Sequence, residues 1–350
     1  VKLFKSVSEP AEQNYAYYTN LVYIFSLLNV KALMKSTLRP QLNYPFQDLI
    51  NPMAGKVEEL VVQWIEKDYQ SMPEAYHKKK TSYKHIETLA GKMMARMYPY
   101  ATLQQLIPIC RFSLWGLSYD DFYEDCTMAE LQDLRNRAVA VLRGYPLYPG
   151  ENAIFHQLQL QREEMLPQMS PAWMERYAQS ISAGFEGMQF EAPYKAKMEF
   201  PSLHDYMAIR EKAVLVYPLI VLLELQLEEP LPDEIANHPQ MLSIAAITCR
   251  ILAWCNDFFS LAKEIGKDVM NLVLVIQHHE KCTLEEAFAE AENIHNQDLV
   301  LYMNLCSNLP DFGKYNHLVK QFVAVNNLMI QGHKSWYEKD TVRYKVDHRE

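Results

Sequence analysis

One stretch, Asn256-Asp257-Phe258-Phe259-Ser260-Leu261-Ala262-Lys263-Glu264, constrains this chain more than any other. Apolar residues run into it (Ile251, Leu252, Ala253, Trp254) and away from it (Val269, Leu272, Val273, Val275, Ile276). No Pro or paired Gly interrupts the pattern, so it reads as one continuous helix. Asn256, Ser260 and Glu264 stand at i, i+4 and i+8. Each four-residue step turns about 400°, so the three drift only about 40° per step and share one face. An amide oxygen, a hydroxyl and a carboxylate then lie along roughly 12 Å of helix. All are hard oxygen donors of the kind Mg²⁺ accepts. The other reading of a polar stripe is a solvated face, but the local sequence is too apolar for a surface helix.

Composition sets the class of protein around that helix. The chain has 350 residues, 49 % of them hydrophobic, and only 10 glycines, which favours a compact, helix-rich protein over a β-rich or disordered one. A length of this size suggests two domains as a first expectation. No repeat, low-complexity linker or composition step divides the sequence, so a single all-α domain over residues 1–350 is expected instead. The formal net charge is −9 and the densest basic run is Lys78-Lys79-Lys80, which makes nucleic acid an unlikely partner. Any phosphate must then be held by metal ions and a few placed basic side chains. The cysteines (Cys110, Cys126, Cys249, Cys255, Cys282, Cys306) sit mostly in apolar helical pattern without paired ligand spacing, which reads as reduced thiols in a cytosol. Nothing resembles a signal peptide, and the longest apolar run, Ala213 to Leu223, is too short for a bilayer and holds Pro218. A cytoplasmic protein without a membrane span is the expectation.

Taken in order, a helical pattern runs from about Glu12 to Met34, and a proline-rich loop follows to Asn51-Pro52. Asn51 is expected to cap the next helix with Pro52 in its first turn, and that helix ends near Tyr69. Residues 78–97 read as helix. A further helix from about Ala101 passes Phe112 and Trp115 and arrives at Asp120-Asp121-Phe122-Tyr123-Glu124-Asp125. Asp120 and Glu124 share a face, with Asp121 adjacent. Four carboxylates in six residues at a helix C-terminus oppose the helix dipole and invite a counter-cation, unless the helix end is simply solvated. Helices over about 128–142, 152–166 and 171–189 follow. Ser202 is expected to cap a helix with Asp205 in its first turn. Arg210 lies about two turns before Pro218, where a helix break is expected; a surface arginine is the alternative. After a proline-rich loop at 229–240 comes the Asn256 helix. Thr283-Leu284-Glu285-Glu286 reads as a capping box, and a last helix holds Leu318, Phe322, Val325, Met329 and Trp336.

Two helices with stripes of oxygen donors, an arginine beside a helix break, and apolar, aromatic surroundings point to one chemistry. Metal ions and basic clamps stabilise a diphosphate as negative charge develops on it. A dry aromatic cavity stabilises a cation by roughly 0.5–2 kcal/mol per ring face. Together these read as ionisation-initiated isoprenoid chemistry.

At these residues the sequence resembles a bacterial class I terpene synthase. The family pattern N-D-x-x-S-x-x-K/R-E is met at every fixed position of Asn256–Glu264, and the aspartate-rich motif by Asp120-Asp121-Phe122-Tyr123-Glu124. A diphosphate-sensing arginine is expected 46 residues before the Asn, and 256 − 46 = 210 is Arg210. Arg343-Tyr344 matches the family's C-terminal pair, with Trp336 upstream, and Leu49-Ile50-Asn51-Pro52 with Trp64 and Asn271-Leu272-Val273 match shorter stretches. The likeness spans residues 40–345 and leaves 1–40 as an unmatched helical extension. It implies the all-helical isoprenoid synthase bundle with a central apolar cavity. It implies Asn256, Ser260 and Glu264 on one Mg²⁺, and Asp120, Asp121 and Glu124 as ligands of two more, three ions in all. Arg210, Lys263, Arg343 and Tyr344 would bind diphosphate, with Phe112, Trp115, Phe258 and Trp336 as cavity wall. The family is often homodimeric. Its acidic linker and glycine after the sensor arginine are replaced here by Ala213 and Val214. A chain-elongating prenyltransferase would carry a second aspartate-rich motif where Asn256–Glu264 stands, and an acid-initiated cyclase a DxDD motif; neither is present. A linear prenyl diphosphate, farnesyl or geranylgeranyl, is the expected substrate. The alternative is a non-catalytic helical isoprenoid-binding or scaffold protein.

Overall fold

The computed structural model describes residues 38–69, 86–123, 126–151 and 153–344, apart from the side chains of 119–123. The described residues form thirteen α-helices and two short 3₁₀ turns, with no strand among them. In chain order they are α1 (Ala54–Lys67), α2 (Ala90–Met97), α3 (Leu103–Tyr123), α4 (Met128–Leu142), α5 (Ala153–Met165), α6 (Pro171–Lys197) and α7 (Leu203–Ala213). Then follow α8 (Val216–Leu222), α9 (Asp233–Ala236), α10 (Pro239–Glu264), α11 (Leu272–Glu280), α12 (Leu284–Ser307) and α13 (Asn316–Lys339).

The helix of the Asn256 stripe, α10, sits in the middle, packed on α7, α8, α11, α12 and α13. It belongs to two apolar clusters in succession. Up to Leu252 it joins the larger cluster built on α1 to α6 and α8; from Ala253 it joins the one formed with α11, the start of α12, Tyr206 and Trp336. The polar stripe begins just past that handover. By length and composition α10 is the one described helix that could cross a bilayer, and 61 % of the qualifying window is buried within the fold. The expected Glu12–Met34 helix and residues 78–85 lie outside the described residues.

Several expected boundaries move, each for a local reason. Asn51 caps no helix; α1 starts after Met53, and Asn51 instead donates to the carbonyls of Tyr98 (3.1 Å) and Ala101 (2.7 Å), pinning two loops together. The helix expected to stop near Gln189 continues as α6 through Pro193 to Lys197. The Asn256 helix does not run on past Glu264: Gly266 turns the chain at φ 71°, and Asn271 caps α11 by accepting from Val273 N at 3.0 Å. The proline-rich loop contains the short α9, and α10 opens at Pro239. The capping box behaves as read, with Thr283 and Glu286 satisfying each other's backbone at the start of α12. Ser202 likewise accepts from Asp205 N.

The helix break matters most for the site. Pro218 does not make it. That residue stands in the first turn of α8, where a missing N–H leaves no intrahelical bond unmade. The break is at Val214–Leu215, with Leu215 in the left-handed region at φ 58°. Two glycines of α6 make room for it. A side chain on Gly187 would press into the backbone of Ala213, and one on Gly184 would meet the Leu215 side chain.

Candidate active site

A cavity of about 880 Å³ opens between these elements. The α10 stripe contributes Asn256, Ser260 and Glu264; α7 and the break contribute Arg210, Ala213, Val214 and Leu215; α3 contributes Phe112, Ser113, Gly116 and Leu117; Arg343 and Tyr344 come from the C-terminal segment. So the sequence-predicted Asn256, Ser260, Glu264, Arg210, Lys263, Arg343 and Tyr344 all border one space. Asp120 and Asp121 belong to the last turn of α3, and the side chains of both lie outside the described residues, as does Glu124 altogether.

The stripe is built as its spacing requires. Ser260 Oγ donates to Glu264 Oε2 at 2.9 Å. Asn271 Nδ2 donates to the same carboxylate oxygen at 2.9 Å and to the Asp257 carbonyl at 2.8 Å. Asn256 turns its Nδ2 to the Tyr337 hydroxyl at 2.5 Å, which fixes the amide with its oxygen on the other side. That oxygen and Asp257 receive Arg210: Nη2 donates to Asn256 Oδ1 at 2.7 Å and to Asp257 Oδ1 at 2.9 Å, and Nε to Asp257 Oδ1 at 3.2 Å.

Asp257 is the fully buried anchor of this network. Its other oxygen accepts from the Tyr206 hydroxyl and from Leu272 N at 2.9 Å, so one carboxylate ties α7, α10 and the start of α11 together. Burial pushes the Asp257 carboxyl upward, and the Arg210 guanidinium pulls it back down. Burial pushes Glu264 up to about 7, and the Asp257 charge adds to the rise. The carboxylates beside Arg210 come from Asp257 and, at 4.0 Å, from Glu191 of α6, not from position 213, where Ala213 stands.

Among the described residues no three His, Cys, Asp or Glu side chains gather as a metal site. On the described part of the expected site, one amide oxygen, one hydroxyl and one carboxylate on α10 could hold a cation. All three are hard oxygen donors, the chemistry that a hard divalent cation such as Mg²⁺ accepts. Lys263 is exposed at the rim of the cavity. Arg343 is buried, donates to Thr88 Oγ1 at 3.4 Å and lies 5.7 Å from the centre of the Tyr344 ring.

Of the four residues expected to line the cavity, only Phe112 does so among the described lining residues. Trp115 packs on Phe112 and Phe185 at 5.9 and 6.3 Å between ring centres. Phe258 packs on Phe288 at 5.0 Å. Trp336 donates its indole N–H to the Thr88 carbonyl at 2.8 Å, in the strap where Val342 N also reaches the Glu87 carbonyl. These three are core and anchor residues, because large rings on a helix pack wherever the neighbouring helix offers a groove. The observed wall is instead aliphatic and sulfur-rich, with Met93, Met94, Leu215, Leu219 and Met270.

Sequence reasoning also passed over Lys195 and Lys267, which border the cavity, and the positioning residues Tyr206 and Tyr337, and it matched Asn271 to the family without giving it a role. Lys195 stands in Tyr194-Lys195-Ala196-Lys197, a basic last helical turn that local pattern cannot tell from a solvated helix end.

The architecture is the class I terpenoid cyclase fold: 2-methylisoborneol synthase from Streptomyces coelicolor A3(2), solved in complex with Mg²⁺ and 2-fluoroneryl diphosphate, superposes with a TM-score of 0.74 at 19 % identity, over 88 % of this chain and 98 % of that one. Residues 111–299 match the profile described as terpene synthase family 2, C-terminal metal binding, and the chain belongs to that family. Germacrene A synthase of Nostoc punctiforme is 27 % identical over 87 % of this chain and 94 % of its own length. A (+)-T-muurolol synthase of Roseiflexus castenholzii, described as cyclising (2E,6E)-farnesyl diphosphate, is 25 % identical over 90 % and 97 %. The protein is a class I terpene cyclase, a lyase acting on a prenyl diphosphate with a divalent metal.

Proposed function

We propose that this enzyme ionises farnesyl diphosphate with three Mg²⁺ ions and cyclises the resulting cation to a sesquiterpene. The observation that carries the reading is the convergence of the Asn256–Ser260–Glu264 stripe, Arg210, Arg343 and Tyr344 on one cavity whose other lining includes Phe112, Leu215 and Leu219. Its volume lies within the range of about 300–1,000 Å³ usual for small-molecule sites. The relatives named for germacrene A and T-muurolol support a fifteen-carbon substrate.

In this reading Asn256, Ser260 and Glu264 hold one Mg²⁺, and Asp120, Asp121 and Glu124 hold the others. Bound there, Mg²⁺ supplies neutralisation of the charge that builds on the departing diphosphate. Arg210 exchanges the Asn256 oxygen for a diphosphate oxygen, which frees the amide as a ligand. Lys263, Arg343 and Tyr344 add donors to the same group. Asn271 and Asp257 keep Glu264 and Arg210 in place while this happens. Phe112 and the aliphatic wall exclude water and fold the hydrocarbon chain. The C–O bond breaks with its electron pair leaving on diphosphate, the allylic cation closes onto a distal double bond, and loss of a proton or capture of water ends the sequence.

The test is incubation of purified protein and Mg²⁺ with geranyl, farnesyl, geranylgeranyl or geranylfarnesyl diphosphate, followed by gas chromatography with mass detection. A cyclic fifteen-carbon product from farnesyl diphosphate, lost with EDTA, is expected. A twenty-carbon product alone would replace the substrate with geranylgeranyl diphosphate. No product from any of them would favour the non-catalytic reading.

A further inference from the structure

The seam between α6 and α7 carries an ion pair that is almost made. A side chain on Gly187 would press on the Ala213 backbone, and Glu191 Oε1 stands 4.0 Å from Arg210 Nη1. Glu191 lies one turn beyond Gly187 on α6, and Arg210 one turn before Ala213 on α7, so the two helices run antiparallel here. That register fixes Glu191 opposite Arg210, just ahead of the break at Leu215.

Both groups across the gap are unfinished. Glu191 is 4 % exposed; its Oε2 pairs with Lys195 Nζ at 3.2 Å, and its Oε1 has no hydrogen-bond partner among the described residues. On Arg210, Nε and Nη2 make the bonds to Asn256 and Asp257, and Nη1 makes none among the described residues. A buried carboxylate oxygen without a partner costs stability. Charge-assisted N–H···O bonds form at about 2.7–2.9 Å, so the pair stands about 1 Å short of one. Arg210 and Lys195 border the cavity and Glu191 is not among its lining residues, so whatever Glu191 does for a ligand it does through them.

The Nη2 atom of Arg210 is committed to Asn256 Oδ1, the oxygen that the proposed metal site requires. The guanidinium is one rigid plane, so a motion that carries Nη2 off that oxygen carries Nη1 with it. We infer that Glu191 is a positioning residue for diphosphate binding: its Oε1 accepts from Arg210 Nη1 when Nη2 exchanges Asn256 for a diphosphate oxygen. The inference rests on the reading of Arg210 as a diphosphate ligand. The bound form then holds one charge-assisted bond that the free form lacks, and only a difference of that kind shifts the equilibrium towards the bound form. Lys195 keeps the carboxylate turned to the seam while this happens. No proton moves and no covalent bond changes.

The experiment is a double-mutant cycle. Inorganic diphosphate is titrated calorimetrically, with Mg²⁺ present, into the full chain as wild type, Glu191→Gln, Arg210→Ala and the double variant. Glu191→Gln keeps the shape and places an amide N–H₂ against one of the two cations. It should weaken binding by about tenfold or more in the wild-type background and by no more than about twofold in the Arg210→Ala background. A merely structural role would weaken both equally. Glu191→Asp, with its carboxylate drawn back from Arg210, repeats the cycle if the Gln variant melts well below wild type, with the same pattern expected. Equal losses in the two backgrounds, or no loss in either, overturn the inference and leave the terpene cyclase reading intact. A wild type that binds no diphosphate with Mg²⁺ and turns over no farnesyl diphosphate overturns both.

Discussion

The two sides of the cavity are held by different physics. On the α10 side, Arg210, Asp257, Asn256, Tyr337, Glu264 and Asn271 are joined by directional hydrogen bonds, and each donor is aimed by a second partner. On the α6–α8 side the chain breaks helix at Leu215 with no side-chain cap at all. Clearance on α6 at Gly184 and Gly187 makes room for it, and two bonds flank it, Tyr217 Oη donating to Glu211 at 2.6 Å and Lys212 Nζ to Glu186 at 2.6 Å. The wired side needs particular atoms and tolerates little substitution of them. The sterically held side needs absence of atoms, and its chemistry is carried by main chain and aliphatic surface. A cyclase that must grip a diphosphate and yet leave a hydrocarbon free to fold has use for both.

The largest effect should come from cutting the wired side at its proposed metal donors. Glu264→Ala or Asn256→Ala should lower turnover by roughly a hundredfold or more, as removal of a placed electrostatic group does. Steady-state release of diphosphate measures it, and full turnover in either variant would remove the stripe from the mechanism. One step back, Asn271→Ala should weaken the apparent Mg²⁺ affinity by about 10- to 100-fold, since that amide orients the Glu264 carboxylate. A metal titration at saturating substrate reads this, and wild-type affinity would mean that Glu264 needs no second partner.

Adding atoms should break the other side. Gly187→Ala places a methyl group against the Ala213 backbone and should destabilise by about 1–3 kcal/mol. Gly116→Ala, whose methyl would come no nearer than 3.9 Å to Leu215 Cδ1, should leave the melting temperature almost unchanged. Equal melting of the two variants would show that the break is not held by the notch.

The smallest effect is a pH dependence beneath the wired side. His333 is stacked on Trp336 at 6.3 Å and meets Tyr337 edge-on at 5.1 Å between ring centres, and burial lowers its pKa to about 3. Its folded pKa is depressed below the unfolded value of about 6.5, so the unfolded chain binds the proton first as acid is added. The His333 contribution is present above about pH 6.5 and is lost progressively as pH falls towards 3. Melting temperatures between pH 7 and pH 4 should fall more in wild type than in His333→Asn, and parallel curves would exclude this residue as a source of acid sensitivity.

What the sequence made legible follows the same division. The α10 stripe is a periodic signal within one helix, and spacing alone brought Asn256, Ser260 and Glu264 to one face. The capping residues Ser202 and Thr283 are also local, and they act as read. The break was misplaced, because Pro218 looks like a helix breaker only until the position of the helix start is known. Its true cause, two glycines some thirty residues upstream on another helix, has no local signature. The cavity wall failed for the same reason. Trp115, Phe258 and Trp336 share helical spacing with Phe112, and only the packing of neighbours decides which ring faces the space. Asp257 lay inside the recognised motif, but its role as the joint between α7, α10 and α11 depends on Tyr206 and Leu272, which meet it only in three dimensions.

The central claim is that the cavity mouth is a metal-dependent diphosphate grip built on α10. Calorimetric titration of inorganic diphosphate into the purified protein, with and without Mg²⁺, tests it most directly because no cyclisation is needed. The account predicts binding only when Mg²⁺ is present, abolished in Glu264→Ala and weakened in Arg210→Ala. Equal binding without Mg²⁺, or a Glu264→Ala variant that binds as wild type does, would contradict it.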